Sequence, residues 1–515
     1  MTLIPFLPTP CRIVRAVACL AVSLQGVVFS TAPAAADDRP NVLFIAVDDL
    51  RPETGAYGNA MIPTPHLDAI ADSGVLFNKA YCQYALCAPS RASLLTGLRP
   101  DTTGIYDYRK NPGKAQFDEA MHDARTLPQH FREAGYNTLS VGKIFHANAV
   151  DQDAWTEERN APAPQWPSKE IRDQIKQAEA EAKAKGRGKF GMLRASKGPA
   201  SAILDLPDHR FKDGAISGVA VDFLKDYAKK DEPFFLAVGF VKPHLPFVAP
   251  KRAADRIDFD AVEVPSRDEP KNVSNFALVK SWYDMRHYPD IRVNGDLNDQ
   301  QTRELIYAYY ACVAHVDDQV GRVMKQLERL GVADNTIVVV WGDHGWKLGD
   351  YGDWGKHTAM ELDARVPLMV RAPGMASGAA SDALVELIDL YPTLADLAGL
   401  DIPDHVEGTS FAPVLESPDM PWKPGALTLQ NRSANEFGND AIGYSMRTDH
   451  FRYTEWRDRA TGEVLDVELY DHRDSSLASE NLAPRSDYAD ELERHAALLA
   501  GGWRGLQTIP APEPE

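Results

Sequence analysis

Cysteine is scarce: the 515 residues hold five, and Cys11 and Cys19 lie within the first 36, leaving Cys82, Cys87 and Cys312. An odd trio cannot form a disulfide framework and leaves at least one thiol over, so a buried core must carry the fold. Basic charge is also short, with 55 Lys and Arg against 74 Asp and Glu and a net charge of -19. That excludes the dominant positive field of a nucleic-acid binder, and it requires any cations serving an anionic substrate to be concentrated in a pocket. Beyond the N-terminus no apolar run is long enough to cross a bilayer, and no internal repeat is visible.

The N-terminus reads as an export signal over residues 1–36. Arg12 and Arg15 precede "AVACLAVSLQGVVFS", and "TAPAAADD" offers small residues for cleavage near Ala36. The alternative, an uncleaved anchor, sits poorly with Ser23 and Gln25 inside a short run. The expectation is an exported protein, periplasmic or secreted, with no membrane insertion after cleavage. The sequons at Asn272 and Asn431 are read as chance occurrences.

What is present is alternation. "NVLFIAVDDL" is a continuous apolar run ending in two carboxylates, the pattern of a strand buried on both faces. Helical segments then alternate with buried strands such as "YNTLSVGKIFH", "PFFLAVGFVKPHLPF" and "NTIVVVWGDHGW", and a long helix is expected from Asp299 to Leu330. This rhythm predicts an α/β fold with a mostly parallel sheet over residues 37–415. Residues 151–207 interrupt it with a polar stretch, "KQAEAEAKAKGRGK", read as an exposed helical insertion because its charges are mixed. A second break, "ESPDMPWKPG", reads as a linker into a smaller α+β subdomain over 416–515, with antiparallel strands and the helix "DELERHAALLAGGW".

Four strands end in similar polar tails: Asp48 and Asp49; Lys143 and His146; Lys242 and His244; Asp343 and His344. Ligands gather at the carboxyl ends of strands in open α/β sheets, so these tails are expected to converge. Asp48, Asp49 and Asp343 supply hard oxygen ligands for calcium or magnesium, with His344 as a ligand or as an orienting group; the alternative is that the acids cap loops. Lys143, His146, Lys242, His244 and Lys356 are the candidate groups for a transferring anion and its leaving oxygen. In "LCAPSRASLLTG", Pro89 suits a first helical turn and Gly97 a helix end, which puts Cys87 at the positive end of a helix dipole. A thiol there is expected to be acidified, a candidate nucleophile; it is equally readable as a small buried hydrophobe.

"CAPSRASLLTG" resembles the signature of the type I sulfatases, in which the cysteine of C-x-P-S-R is oxidised to formylglycine by a formylglycine-generating or anaerobic sulfatase-maturating enzyme. "VLFIAVDDLRP", "SVGKIFH", "GDHGWKLGDYGDWGKH" and "ELIDLYPTLADLAGL" are similar in order to the iduronate-2-sulfatase branch of that family. The resemblance implies an alkaline-phosphatase-like fold, a large mixed sheet between helices with a smaller C-terminal α+β subdomain. It implies one calcium ion held by Asp48, Asp49, Asp343, His344 and residue 87, and a hydrated formylglycine nucleophile beside Arg91, Lys143 and His146. His244 and Lys356, with Lys242, would grip sulfate and assist the leaving group. The implied activity is exo-acting removal of a 2-O-sulfate from a uronic acid in a sulfated saccharide. Val241 stands where relatives carry histidine before "KPH", which puts the sugar contacts rather than the chemistry in question. A phosphonate or phosphate monoester hydrolase of the same superfamily, and a non-catalytic sulfated-glycan-binding protein, are the alternatives. A Cys82–Cys312 disulfide is a further possibility.

Overall fold

The computed structural model describes residues 39–107, 124–146, 151–279, 282 and 284–507. The export-signal reading falls outside them. Among the described residues no helix is long and apolar enough to cross a membrane.

The first apolar run is a strand, β1 (Asn41–Asp48), buried from Val42 to its end. It lies inside an eight-stranded sheet with β2 (Val75–Phe77), β3 (Asn137–Gly142), β4 (Glu157–Arg159), β5 (Phe234–Pro243), β6 (Thr336–Gly342), β7 (Leu368–Arg371) and β8 (Ala379–Ser381), in the order β8-β2-β7-β6-β1-β5-β3-β4. β1 pairs in parallel with both β5 and β6, and β3 in parallel with β5. Only β7 runs against its neighbours, so the sheet is mixed. The carboxyl ends of β1, β3, β5 and β6 therefore share one edge.

Side chains alternate across a strand, and here both faces are covered, which is why the runs are apolar without interruption. Leu43, Ile45 and Val47 join one core with α1 (Pro65–Asp72), α3 (Lys212–Tyr227) and α4 (Asp299–Arg329). Val42, Phe44 and Ala46 join the other with α2 (Cys87–Thr96). Each such buried side chain contributes roughly 1.5–3 kcal/mol. Cys82 belongs to the second core and Cys312 to the first. The sheet stands between them, and both are free buried thiols, so they form no disulfide.

The insertion is more firmly attached than its composition suggests. Its long helix, Lys169–Ala184, buries only Ala182, as expected of an exposed element. Its two ends, however, are strands: β4 extends the main sheet beyond β3, and Ser201–Leu204 pairs with Phe247–Pro250. Strands of three or four residues are too short for periodicity to show.

At the C-terminus β9 (Ala426–Arg432), β10 (Ala441–Arg447), β11 (Phe451–Asp458) and β12 (Val464–Asp471) form an antiparallel meander covered by α5 (Ala489–Ala500). Its core takes in Tyr84 and Leu86, and Tyr84 bridges to Leu429. The smaller sheet thus buttresses the segment that leads into α2 and Cys87.

Candidate active site

Close approach of β3 and β5 sets up the first wall. A Cβ on Gly142 (φ 85°) would lie 2.1 Å from Gly239 O, and one on Gly239 would lie 2.1 Å from Lys143 O. Glycine at both positions lets Lys143 N donate to Gly239 O at 2.8 Å, and Lys143 Nζ then reaches Asp48 Oδ2 at 2.6 Å. Asp49, one residue past β1, sits at φ 60°, a left-handed conformation costly for a non-glycine residue. Its N–H donates to Asp343 Oδ1 (3.0 Å) and its carbonyl accepts from Tyr309 Oη (2.8 Å), which together fix it.

Arg91, buried in α2, ties the acids together. Its Nε donates to Asp343 Oδ2 at 2.9 Å, Nη2 approaches Asp48 Oδ1 at 3.4 Å, and Nη1 donates to Lys143 O and Ile144 O. Ser90 Oγ donates to Asp343 O at 2.5 Å. Lys356 Nζ donates to Asp49 Oδ1 at 2.7 Å and lies 3.4 Å from Cys87 Sγ. His344 Nδ1 lies 2.9 Å from Gly345 O, which can only accept, so Nδ1 carries a proton, and Nε2 stands 3.2 Å from Cys87 Sγ.

The electrostatics follow from this crowding. Burial raises the Asp48 carboxyl, but Lys143, with His244, Arg91 and Lys356, holds it well below the usual range. Asp49 is lowered for similar reasons, with His244 and Lys356 outweighing burial and Asp48. Burial would lower the Lys356 ammonium, yet Asp49 and the groups around it hold it well above its ordinary value. Cys87 corrects the expectation of an acidified thiol. It does open α2, but burial pushes it well above the ordinary thiol value despite Lys143 and Lys356. A dipole at a helix end is worth about 0.3–1 kcal/mol when exposed, less than the cost of burying a charge.

Not every candidate faces the same way. Lys242 Nζ donates to His244 O (2.6 Å) and Pro246 O (2.7 Å), so it braces its own loop rather than reaching the acids. Asp213 on α3 holds the same loop by accepting from Val241 N and Lys242 N. His244 donates from Nδ1 to Leu245 O and brings Nε2 to 3.9 Å from Asp49 Oδ2. His146 lies within electrostatic reach of Lys143 and Asp48; burial first, then Lys143, pushes it down to about 3, so it stays neutral. Asp284, which no pattern in the sequence flags, approaches Lys356 at 3.7 Å and His357 at 3.9 Å. Ser90 could have been read from its place in the signature; Asp284 lies in the stretch 255–295, where no strand end or motif marks it.

The donor set could hold a metal ion. Ligating atoms of Asp48, Asp49, Cys87 and His244 lie within 4.8 Å of one another, as do those of Cys87, Asp343 and His344. Asp49 Oδ2 is buried with no hydrogen-bond partner, the condition of a ligand atom awaiting its ion.

Comparison with known proteins agrees with this geometry. The family model described as Sulfatase matches residues 40–400, and that of the N-sulphoglucosamine sulphohydrolase C-terminal region matches 349–495. The chain is 33% identical over 485 residues to the iduronate 2-sulfatase of Mus musculus, covering 82% of this chain and 85% of that one. In fold it matches the structure of BT4656 in complex with D-glucosamine-2-N,6-O-disulfate (TM-score 0.71, 22% identity, 93% of this chain and 100% of that one). It also matches the phosphonate monoester hydrolase of Silicibacter pomeroyi (TM-score 0.67, 23% identity, 91% and 96%). The family match over most of the chain and the acids, lysines and Cys87 gathered at one sheet edge lead to one conclusion: the chain belongs to the sulfatase family, the hydrolases of sulfuric esters.

Proposed function

We propose that the chain removes a sulfate ester from a sulfated saccharide, the 2-O-sulfate of a terminal uronic acid, using a formylglycine made from Cys87. One observation carries this reading. Cys87, at the head of the C-x-P-S-R signature, stands at the focus of Lys356, His344 and Asp49, where burial disfavours a thiolate and a formylglycine would set its oxygens among those groups. The hydrated aldehyde supplies a hydroxyl to attack sulfur and a second hydroxyl whose collapse releases sulfate, so no water has to attack a stable sulfate ester. Iduronate 2-sulfatase as a relative supports the uronic acid.

Asp48, Asp49, Asp343 and His344, with residue 87, would hold a calcium ion, which supplies polarisation of a sulfate oxygen. The chain's own groups do the rest. Lys143 and Lys356 present ammonium groups to the charge that develops on the sulfuryl oxygens. Arg91, fixed between Asp48 and Asp343, holds the acids in place. His344 Nε2 is kept for the ion, and Asp49 Oδ1, toward which the residue-87 side chain already points at 3.8 Å, accepts the proton of the residue-87 hydroxyl. His244 would give a proton to the leaving ester oxygen from Nε2, which requires the imidazolium; burial outweighs Asp49 and lowers the ring, so the charged form has to be taken up together with the anionic sulfate. His146, neutral throughout, acts by hydrogen bonding alone. Export to the periplasm or outside the cell agrees with the N-terminal sequence and places the enzyme where polymeric saccharides are met.

The experiment is mass spectrometry of the peptide spanning residue 87, from protein made with and without a maturating enzyme, alongside turnover of 4-nitrophenyl sulfate and 4-nitrophenyl phosphate. Activity should track the aldehyde and favour the sulfate. Full activity with unmodified Cys87 refutes the mechanism. A strong phosphate preference assigns the chain instead to the phosphonate and phosphate monoester hydrolases that share the fold. Binding of sulfated saccharides without turnover marks a glycan-binding protein.

A further inference from the structure

Backbone strain gathers around Lys356. His357, the next residue, sits at φ 84°, and Trp282, two residues before Asp284, sits at φ 45°. Left-handed conformations of this kind are costly for residues other than glycine and persist only where the surrounding contacts impose them. Those contacts are specific. His357 N donates to Ala85 O at 3.2 Å, and His357 O accepts from Arg432 Nη1 at 2.9 Å. Trp282 Nε1 donates at 3.1 Å to Gly352 O, in the turn between Lys347–Leu348 and Trp354–Gly355, the two paired strands that lead into Lys356.

The same anchors place Asp284. Trp282 and Met285, on either side of it, belong to a core that leaves them 2% and 0% exposed. Arg286 N donates to Trp282 O at 3.0 Å and closes a turn around Asp284. The acid is thus fixed from both sides, tied through Trp282 to the very hairpin that presents Lys356.

Two carboxylates face the Lys356 ammonium among the described residues, Asp49 Oδ1 at 2.7 Å and Asp284 Oδ2 at 3.7 Å. Asp284 Oδ2 also lies 3.9 Å from His357 Nε2. Burial would raise the Asp284 carboxyl, but hydrogen bonding from His357 and then the charge of Lys356 hold it well below the usual range, so it stands as an anion. The two acids are not equivalent. Asp49 belongs to the donor set that could hold a metal ion, and Asp284 does not. Charge that Asp49 shares with an ion is no longer given in full to Lys356, and the ion repels the ammonium. A lysine carries a point charge on a flexible stem, so the charges around it decide where it stands. Asp284 is the acid left to hold it.

We propose that Asp284, supported by His357, is a positioning residue of the reaction: it keeps the Lys356 ammonium beside residue 87, where negative charge develops on the sulfuryl oxygens. Asp284 touches no reacting atom and acts through Lys356. The inference rests on the sulfatase reading of the centre.

The test uses the full, formylglycine-bearing enzyme in the presence of calcium. Asp284→Asn keeps the shape of the side chain and an acceptor for His357 while removing the charge. It should lower kcat on 4-nitrophenyl sulfate about tenfold and leave KM within about twofold. In the Lys356→Met background the same change should alter kcat less than about twofold, because the group it acts through is gone. A role confined to the fold would give the same loss in both backgrounds, and that result overturns the proposal. A loss confined to KM, or an unchanged or raised kcat, also overturns it. Crystal structures read the position without turnover: Lys356 Nζ should stand beside residue 87 in the unchanged enzyme and withdraw from it in Asp284→Asn. If Asp284→Asn does not fold, His357→Gln takes its place in the same measurements, with an expected loss in kcat of about threefold. Failure of the sulfatase reading is seen separately, as absent turnover of 4-nitrophenyl sulfate by the unchanged enzyme. The crystal structures then decide, and a Lys356 Nζ that keeps its place in the variant overturns the proposal.

Discussion

Lys356 Nζ stands 2.7 Å from Asp49 Oδ1 and 3.4 Å from Cys87 Sγ, so one buried ammonium group joins a metal-competent carboxylate to the residue that becomes the nucleophile. Asp49 and its neighbours hold that ammonium charged despite burial. The geometry assigns Lys356 to charge stabilisation in the transition state. Lys356→Met should lower kcat on 4-nitrophenyl sulfate by about 10²–10³-fold, the usual cost of removing one preorganised donor. Lys356→Arg should recover little, because a planar fork does not fit a point-charge position between two groups. A KM effect without a kcat effect would assign Lys356 to ground-state binding alone.

The two histidines of the strand-end tails should separate in kinetics. His244 is placed to offer a proton to the leaving oxygen when the bound anion holds it charged, although burial lowers it, whereas His146 is held down to about 3 by burial and Lys143 and stays neutral. An alkoxide leaving group needs a proton and a nitrophenolate does not. His244→Gln should therefore cost about 10²-fold or more on a sugar sulfate and much less on 4-nitrophenyl sulfate. His146→Gln should lower both rates by the same factor. Equal losses on both substrates for His244→Gln would remove it from the role of acid.

Much of this centre was legible in the sequence. β1, β5 and β6 could be read because strands covered on both faces are apolar at every position, and their polar tails then had to fall at one edge. The reversal of β7 could not be read, because a hydrophobic period carries no direction. β12 was missed because "VLDVELYD" breaks its apolar pattern with acids, one of which, Glu468, is buried and accepts from Trp456 Nε1. The expectation for Cys87 failed on a balance: position at a helix end was visible, but the depth of burial that outweighs it depends on packing by Tyr84, Leu86 and the C-terminal sheet. Asp284 was invisible because it arrives from a loop, where side-chain placement follows from tertiary contacts alone.

Removing divalent metal should inactivate and destabilise the protein together. Asp48, Asp49 and Asp343 are buried acids around one space, and Asp49 Oδ2 has no protein partner. Without an ion their mutual repulsion is relieved by Lys143, Arg91 and Lys356, with His244. Treatment with a calcium-selective chelator should abolish activity and lower Tm, and calcium should restore both; at a hundredfold excess over Kd the ion adds about 2.7 kcal/mol to stability. Asp49→Asn should make Tm insensitive to calcium, a readout independent of turnover.

A buried ion network outside the site should control folding of the C-terminal part. Arg99 forms a two-pronged pair with Glu386 at 2.8 Å, and Lys423 joins Glu386 and Asp389 at 2.8 and 2.6 Å. All four residues are at most 3% exposed. Glu386→Gln leaves Arg99 and Lys423 with one acidic partner between them, and breaking a buried pair in this way costs about 3–5 kcal/mol. Denaturant unfolding should show that loss at unchanged m-value.

The pH dependence of stability should carry the mark of Asp317. Thr64, the residue before α1, makes no side-chain cap bond; instead Asp317 of α4 accepts from His66 N (3.0 Å) and Leu67 N (2.8 Å) through Oδ1. Its Oδ2 is buried without a partner. Burial outweighs the two backbone donors and raises the carboxyl from 3.8 to about 7. The folded form thus binds a proton that the unfolded chain releases above about pH 4, so this group's contribution is complete below pH 4 and is lost as pH rises through 7. At about 1.4 kcal/mol per pH unit the full loss is on the order of 4 kcal/mol or a little more. Asn keeps the Oδ1 acceptor and cannot ionise. Asp317→Asn should therefore be nearly neutral at pH 4 and stabilising by a few kcal/mol at pH 8, read as urea midpoints at fixed calcium. Equal midpoints for the two proteins at pH 8 would mean that Asp317 ionises in the fold at little cost, with the capped N-terminus of α1 stabilising its charge.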